Sequence, residues 1–157
     1  MLAALLLGAL LGQNRGQAAL DVCSALQQLS HLDGQVVTIR GEYQAGREVS
    51  AIYGSGCAGR IAVDGGTWPW SINVVISPCS GFAERLRTVI AENRPKNWRV
   101  IVTLTGQLRS AQNNPSYPAR APKARPMGFG HLGIWPAEIL VTAVTDVSVE
   151  DKAALQK

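Results

Sequence analysis

The hydrophobic period of this chain changes twice, and the positions of the changes leave few folds open. In QVVTIRGEY (35–43), Val37, Ile39, Gly41 and Tyr43 fall on one face, and Val36, Thr38, Arg40 and Glu42 on the other. That is the two-residue period of a strand with one buried side. A QAG turn leads into a second strand, REVSAIYG (47–54), and a third, GRIAVDG (59–65), follows Cys57. The stretch SINVVIS (71–77), after the GGTWPW excursion, reads as an extension of that third strand. The period then becomes helical. In SGFAERLRTVIAEN (80–93), Phe82, Leu86, Val89 and Ile90 share one stripe, with Ser80 as N-cap and Arg94-Pro95 as the stop. Alternation returns in two long strands. Val100, Val102, Leu104 and Leu108 carry it in WRVIVTLTGQL, and Ile139, Val141, Ala143, Val147 and Val149 in AEILVTAVTDVSV.

Ahead of the first strand, Val22, Ala25, Leu26, Leu29 and Leu32 sit at helical spacing within residues 21–32, and Asp33-Gly34 is a turn signal. The order is therefore a short helix, three strands, a helix and two strands. This predicts a mainly β fold: a five-stranded OB-fold-like Greek-key barrel with a helix between strands 3 and 4 and a short N-terminal helix. Gly41 inside the first strand marks the bend that a small barrel needs. The segments LDGQVVTIRGEY and GFGHLGIWPAEILVTAVTDV, together with the cysteine after the second strand, resemble a diffuse group of small secreted bacterial OB-fold-like proteins of unassigned activity. The resemblance covers about a quarter of the chain; it implies a fold and export, and no reaction.

At 157 residues the chain suffices for one packed domain. The N-terminal MLAALLLGALLG is apolar and uncharged, with small residues Gly16 and Ala18 just beyond it. That is the h-region and cleavage site of a secretory signal peptide, although no Lys or Arg precedes the run. A membrane-spanning helix needs roughly 20 apolar residues, more than this run supplies. Residues 1–18 are thus expected to be removed, leaving 19–157 as a single periplasmic or secreted domain with no stable membrane insertion. Three cysteines, none in a C-x-x-C pair, then predict one disulfide and one buried thiol. Cys23 with Cys57 would tie the N-terminal helix to the sheet; Cys57 with Cys79 is the alternative.

The stretch GFGHLG (128–133) has the G-x-G-x-x-G spacing of a dinucleotide fingerprint. That motif works only when its glycines follow a strand and open a helix whose amides face the pyrophosphate. Here a proline-rich loop precedes it, and Trp135-Pro136 and a strand follow. Gly128, Gly130 and Gly133 are instead read as backbone devices that lay a loop against the barrel. The loop joining strands four and five, Arg109 to Pro136, is long for a compact domain, and OB-folds bind ligands through this loop. It carries Arg109, Arg120, Lys123 and Arg125, and no acidic residue occurs between Glu92 and Glu138. Removing residues 1–18 takes one arginine from the 15 basic residues and none of the 11 acidic ones, leaving a net charge of +3.

Candidate ligand-binding residues are accordingly Arg109, Tyr117, Arg120, Lys123, Arg125, Phe129, His131 and Trp135. They suit an anionic polymer or glycan. The competing reading has Phe129 and Trp135 plugging the barrel end and His131 donating to a backbone carbonyl. Trp68 and Trp70, in a Gly/Pro-bounded loop, are a candidate partner surface if exposed.

Catalytic patterns are missing. The two histidines, His31 and His131, form no H-x-x-x-H pair, Ser55 lacks the glycine two residues before it that a G-x-S-x-G elbow requires, and no P-loop occurs. No cofactor and no metal are expected. The sequence points to a non-catalytic binding module of the bacterial envelope for an anionic or carbohydrate ligand. The alternative is a protein–protein interaction module, an inhibitor or envelope-complex subunit. Nucleic acid fits the fold but suits an exported chain less well.

Overall fold

Asp21 fixes where the chain becomes regular. A computed structural model of the protein describes residues 18–46, 49–63, 66–77, 81–93, 98–113 and 127–151. In it β1 (Leu20–Asp21) leads directly into α1 (Val22–Gln27), and the Asp21 carboxylate caps the helix by accepting from the Ser24 amide at 2.8 Å and the Ser24 hydroxyl at 2.8 Å. The helix expected over 21–32 is broken at Gln28, whose φ of −102° and ψ of 15° separate α1 from α2 (Leu29–Leu32). The apolar stripe survives the break, with Val22, Ala25, Leu26 and Leu29 all buried.

Next come β2 (Val36–Ala45), β3 (Ser50–Tyr53), β4 (Ile61–Val63), β5 (Gly66–Trp68) and β6 (Ser71–Ile76), then α3 (Gly81–Asn93), β7 (Trp98–Ser110) and β8 (Ala137–Asp151). The barrel closes in the order β2–β3–β6–β8–β7 and back to β2. Every pair is antiparallel except β6 with β8. This is an OB-fold-like barrel, with α3 falling between its third and fourth strands in chain order. Leu86 of α3 is buried, and Val89 and Ile90 pack against the core. Ser80, the expected N-cap, lies outside the described residues, as do the segment 1–17 and Cys79.

The third barrel strand is Ser71–Ile76 and not the earlier stretch expected for it. Ser71 to Val74 are buried on both faces, as a strand held between an antiparallel and a parallel neighbour must be. Ile61–Val63 instead pairs with Gly66–Trp68 as a separate two-stranded ribbon.

The alternation expected in β8 also slips. Thr145 is passed over between the pairs Thr103–Asp146 and Leu104–Val144, and Thr142 between Thr105–Ala143 and Gly106–Val141. Each bulge inserts one residue. The inward set therefore runs Ile139, Val141, Val144, Val147, and Ala143 is exposed. Gly106 permits the second bulge, because a Cβ there would lie 2.8 Å from the Leu140 carbonyl carbon and 2.9 Å from the Val141 Cα.

A Cys23–Cys57 disulfide, Cα atoms 5.8 Å apart, ties α1 to the segment following β3. No helix among the described residues is long and apolar enough to cross a membrane.

Candidate functional site

The segment containing GFGHLG is a small closed hairpin lying on the outer wall of the barrel. The Phe129 amide donates to the Trp135 carbonyl at 2.9 Å, the Gly128 amide to Gly133 at 3.0 Å, and the Gly133 amide to Gly130 at 3.1 Å. Gly130 and Gly133 have φ of +69° and +60°, where a side chain is strained. Close approach matters as much. A Cβ on Gly130 would strike the Trp135 ring and come within 2.9 Å of Asn73 Oδ1. One on Gly128 would strike the Trp135 carbonyl oxygen and come within 2.8 Å of the Trp68 ring. A single turn of 3-10 helix, His131–Gly133, forms the tip, and β8 follows it, so no helix presents amides to a pyrophosphate.

Beneath this hairpin, three neighbouring strands place three polar side chains side by side. Arg109 of β7 stands opposite Glu138 of β8, which stands opposite Asn73 of β6. Arg109 forms an ion pair with Glu138, and Asn73 donates to the other carboxylate oxygen at 3.2 Å. The Arg109 guanidinium also sits 5.8 Å from the centre of the Phe129 ring, in cation–π range. Asn73 and Glu138 are buried although they point away from the barrel interior. Ala51 of β3 and Ser71 of β6, on the same outward face, are fully buried. OB-folds commonly take ligands on the wall of their second and third strands. In this chain that wall is closed by the chain itself.

The surface that remains is the far side of the hairpin. Leu132 at its tip is 77% exposed and has φ of +62°, the only non-glycine in the left-handed region among the described residues. Met127 and Ile134 flank it, 48% and 45% exposed. Together they form one side of a cleft of about 440 Å³ whose other side is Arg60, Trp68 and Pro69 from the β4–β5 ribbon. A larger groove of about 630 Å³ runs along α1 and β2, but it is lined by both signs of charge. Its arginines are already engaged, Arg40 with Asp146 and Glu150 and Arg99 with Glu150.

Of the residues singled out from the sequence, the structure brings Arg109 against the hairpin that Phe129 and Trp135 form, and places His131, exposed, on its tip. Phe129 and Trp135 are buried at 4% and 1%, so they hold the hairpin and offer no ring to a ligand. Tyr117, Arg120, Lys123 and Arg125 lie outside the described residues. Trp68 is also buried, its indole donating to the Val63 carbonyl at 3.0 Å, and is therefore no exposed platform. Trp70 is half-buried and donates to Ala58 at 2.9 Å.

Sequence reading missed Arg60, Met127, Leu132 and Ile134. Their signal was three large apolar residues interspersed with glycines, where a solvated loop would be polar. Among the described residues no three of His, Cys, Asp and Glu come together to hold a metal. Comparison with protein-family models, with curated proteins and with solved structures finds no match to this chain.

Proposed function

We propose that the chain is an exported binding module, periplasmic or secreted and without catalysis of its own, that engages a protein partner through the exposed limb of its β7–β8 loop. The observation that carries this reading is Leu132. A leucine in the left-handed region costs roughly 1 to 2 kcal/mol, which glycine or asparagine would largely avoid. At 77% exposure its side chain recovers little of that in the isolated chain. Strain kept at an exposed apolar tip is a signature of a contact surface. Export rests on the apolar N-terminal run, and the Cys23–Cys57 bridge suits an oxidising compartment.

A second reading, binding of an anionic polymer or glycan, is favoured by the acid-free stretch between Glu92 and Glu138. Arg109 is committed to Glu138, so it rests on Arg120, Lys123 and Arg125 with Tyr117.

Selection from a displayed library of randomised peptides, alongside titration with heparin and polyglutamate, separates the two. Partner binding through the loop predicts selected peptides that lose affinity for Leu132→Asn and keep it for the triple Arg120, Lys123 and Arg125→Ser variant. Ligands indifferent to Leu132 but lost by the triple variant would replace the first reading with the second.

A further inference from the structure

We infer that the cleft beside Leu132 takes an extended peptide segment carrying a carboxylate next to an apolar side chain, with Arg60 anchoring the carboxylate. This rests on the proposed role of the β7–β8 loop and names the chemistry of its partner.

Arg60, at the ribbon, differs from the arginines of the barrel wall. Arg40, Arg99 and Arg109 each face a carboxylate, whereas no carboxylate among the described residues pairs with Arg60. The side chain is exposed yet held: it donates to the Thr67 carbonyl at 3.1 Å, which keeps the guanidinium along the ribbon at the mouth of the cleft. A guanidinium carries five N–H donors in a planar fork, and that carbonyl occupies one. The remainder match a carboxylate, which can accept two at once. Among the described residues no acidic side chain lines the cleft, and Arg60 is its charged group. The described lining is thus complementary to an acidic partner and steers its approach.

The apolar half of the site sets the rest of the ligand. Met127 and Ile134 face Trp68 and Pro69 across the cleft, a concave setting that admits one inserted apolar side chain. A small molecule filling it would touch only the cleft-facing side of Leu132 and leave most of that exposed side chain in water. A peptide that continues past the cleft would cover it.

The test selects randomised peptides of roughly a dozen residues, long enough at about 3.3 Å per residue to span cleft and tip, against the full chain. The winners should carry Asp or Glu beside Leu, Ile, Phe or Trp. Arg60→Ala should weaken them about tenfold at low salt, Arg60→Lys by less, and Arg60→Glu should reverse the preference toward peptides with Lys in place of the acid. Arg60 is exposed, so unchanged tryptophan emission checks that each variant is folded.

Winners without an acid preference, or equally tight on Arg60→Glu, overturn this inference. If they still need Leu132, the loop remains the binding element; if they need neither residue, both readings fall. Arg60-dependent binding of phosphatidylglycerol vesicles or heparin that no peptide displaces would also overturn it, assigning the cation to a lipid or polymer source.

Discussion

Substituting Gly128 by alanine separates two reasons for a glycine. Gly128 is not in the left-handed region, so alanine fits its backbone without strain. What alanine does not fit is the space: its Cβ would lie 2.8 Å from both the Trp68 ring and the Trp135 carbonyl carbon, and closer still to the carbonyl oxygen. That oxygen accepts from Phe129 at 2.9 Å and Trp135 is 1% exposed, so neither neighbour can retreat without breaking the hairpin. Overpacking against such a wall costs about 2 to 3 kcal/mol. Gly46, with nothing within 4 Å of its Cβ position, is the control, and Gly46→Ala should gain about 0.4 to 1 kcal/mol through the unfolded chain.

Urea unfolding followed by tryptophan emission reads both. With a slope near 2 kcal/mol per molar, Gly128→Ala moves the midpoint down by about 1 M or slightly more. A Gly128→Ala midpoint within about 0.25 M of the parent would refute the close approach of Trp68 and Trp135 that the site depends on.

Three further outcomes follow from the same contacts. Replacing Cys23 and Cys57 by serine opens a loop of sequence separation 34 and should cost about 3 to 4 kcal/mol, lowering Tm by roughly 8 to 15 °C in a thermal melt. Asp21→Ala removes the α1 cap and should cost about 1 kcal/mol at pH 7. The backbone N–H and hydroxyl of Ser24 hold the Asp21 carboxyl below the usual carboxylate range. Its folded-state pKa is therefore lower than its unfolded one, so the carboxylate's contribution is present above about pH 4 and disappears as pH falls through the lowered value. The parent and variant unfolding curves should converge there, and a difference that persists in strong acid would contradict the cap. Glu138→Ala strips Arg109 and Asn73 of their shared partner and should cost about 1 to 3 kcal/mol, less than the roughly 3 to 5 kcal/mol of a fully buried pair because the Arg109 side chain is 37% exposed. In a double-mutant cycle with Arg109→Ala the two losses should fall short of additivity by about 0.5 kcal/mol or more.

The barrel was legible because its signals are periodic. Val37, Ile39, Tyr43, Val100, Val102, Leu104 and Leu108 are buried as alternation required. Where the period is interrupted, the reading drifted. Two bulges at Thr142 and Thr145 put Val144 inside and Ala143 outside, and nothing local in TAVTD marks them; Gly106 on the partner strand makes room for the one at Thr142. The third strand, read as running from GRIAVDG into SINVVIS, joins the barrel only in its second part, because Ile61–Val63 pairs with Gly66–Trp68; Asn73, a polar outward position, is buried with the hairpin's Gly130 against it.

The candidate site shows the same division. The glycines of GFGHLG were legible as backbone devices, and so was the contradiction between the motif and its flanks. That Trp135 and Phe129 face inward while Leu132 faces water depends on which residues take the left-handed conformation. Leucine gives no sign of that in sequence, because it rarely adopts it.

The central claim, that the strained tip of the β7–β8 loop is a contact surface, meets its most direct test in Leu132→Asn. Asparagine tolerates the left-handed region, so the variant should be at least as stable as the parent, by up to about 1 kcal/mol, while titration calorimetry of the tightest selected peptide should show affinity reduced about tenfold or more. A variant that binds that peptide as tightly as the parent would contradict the account.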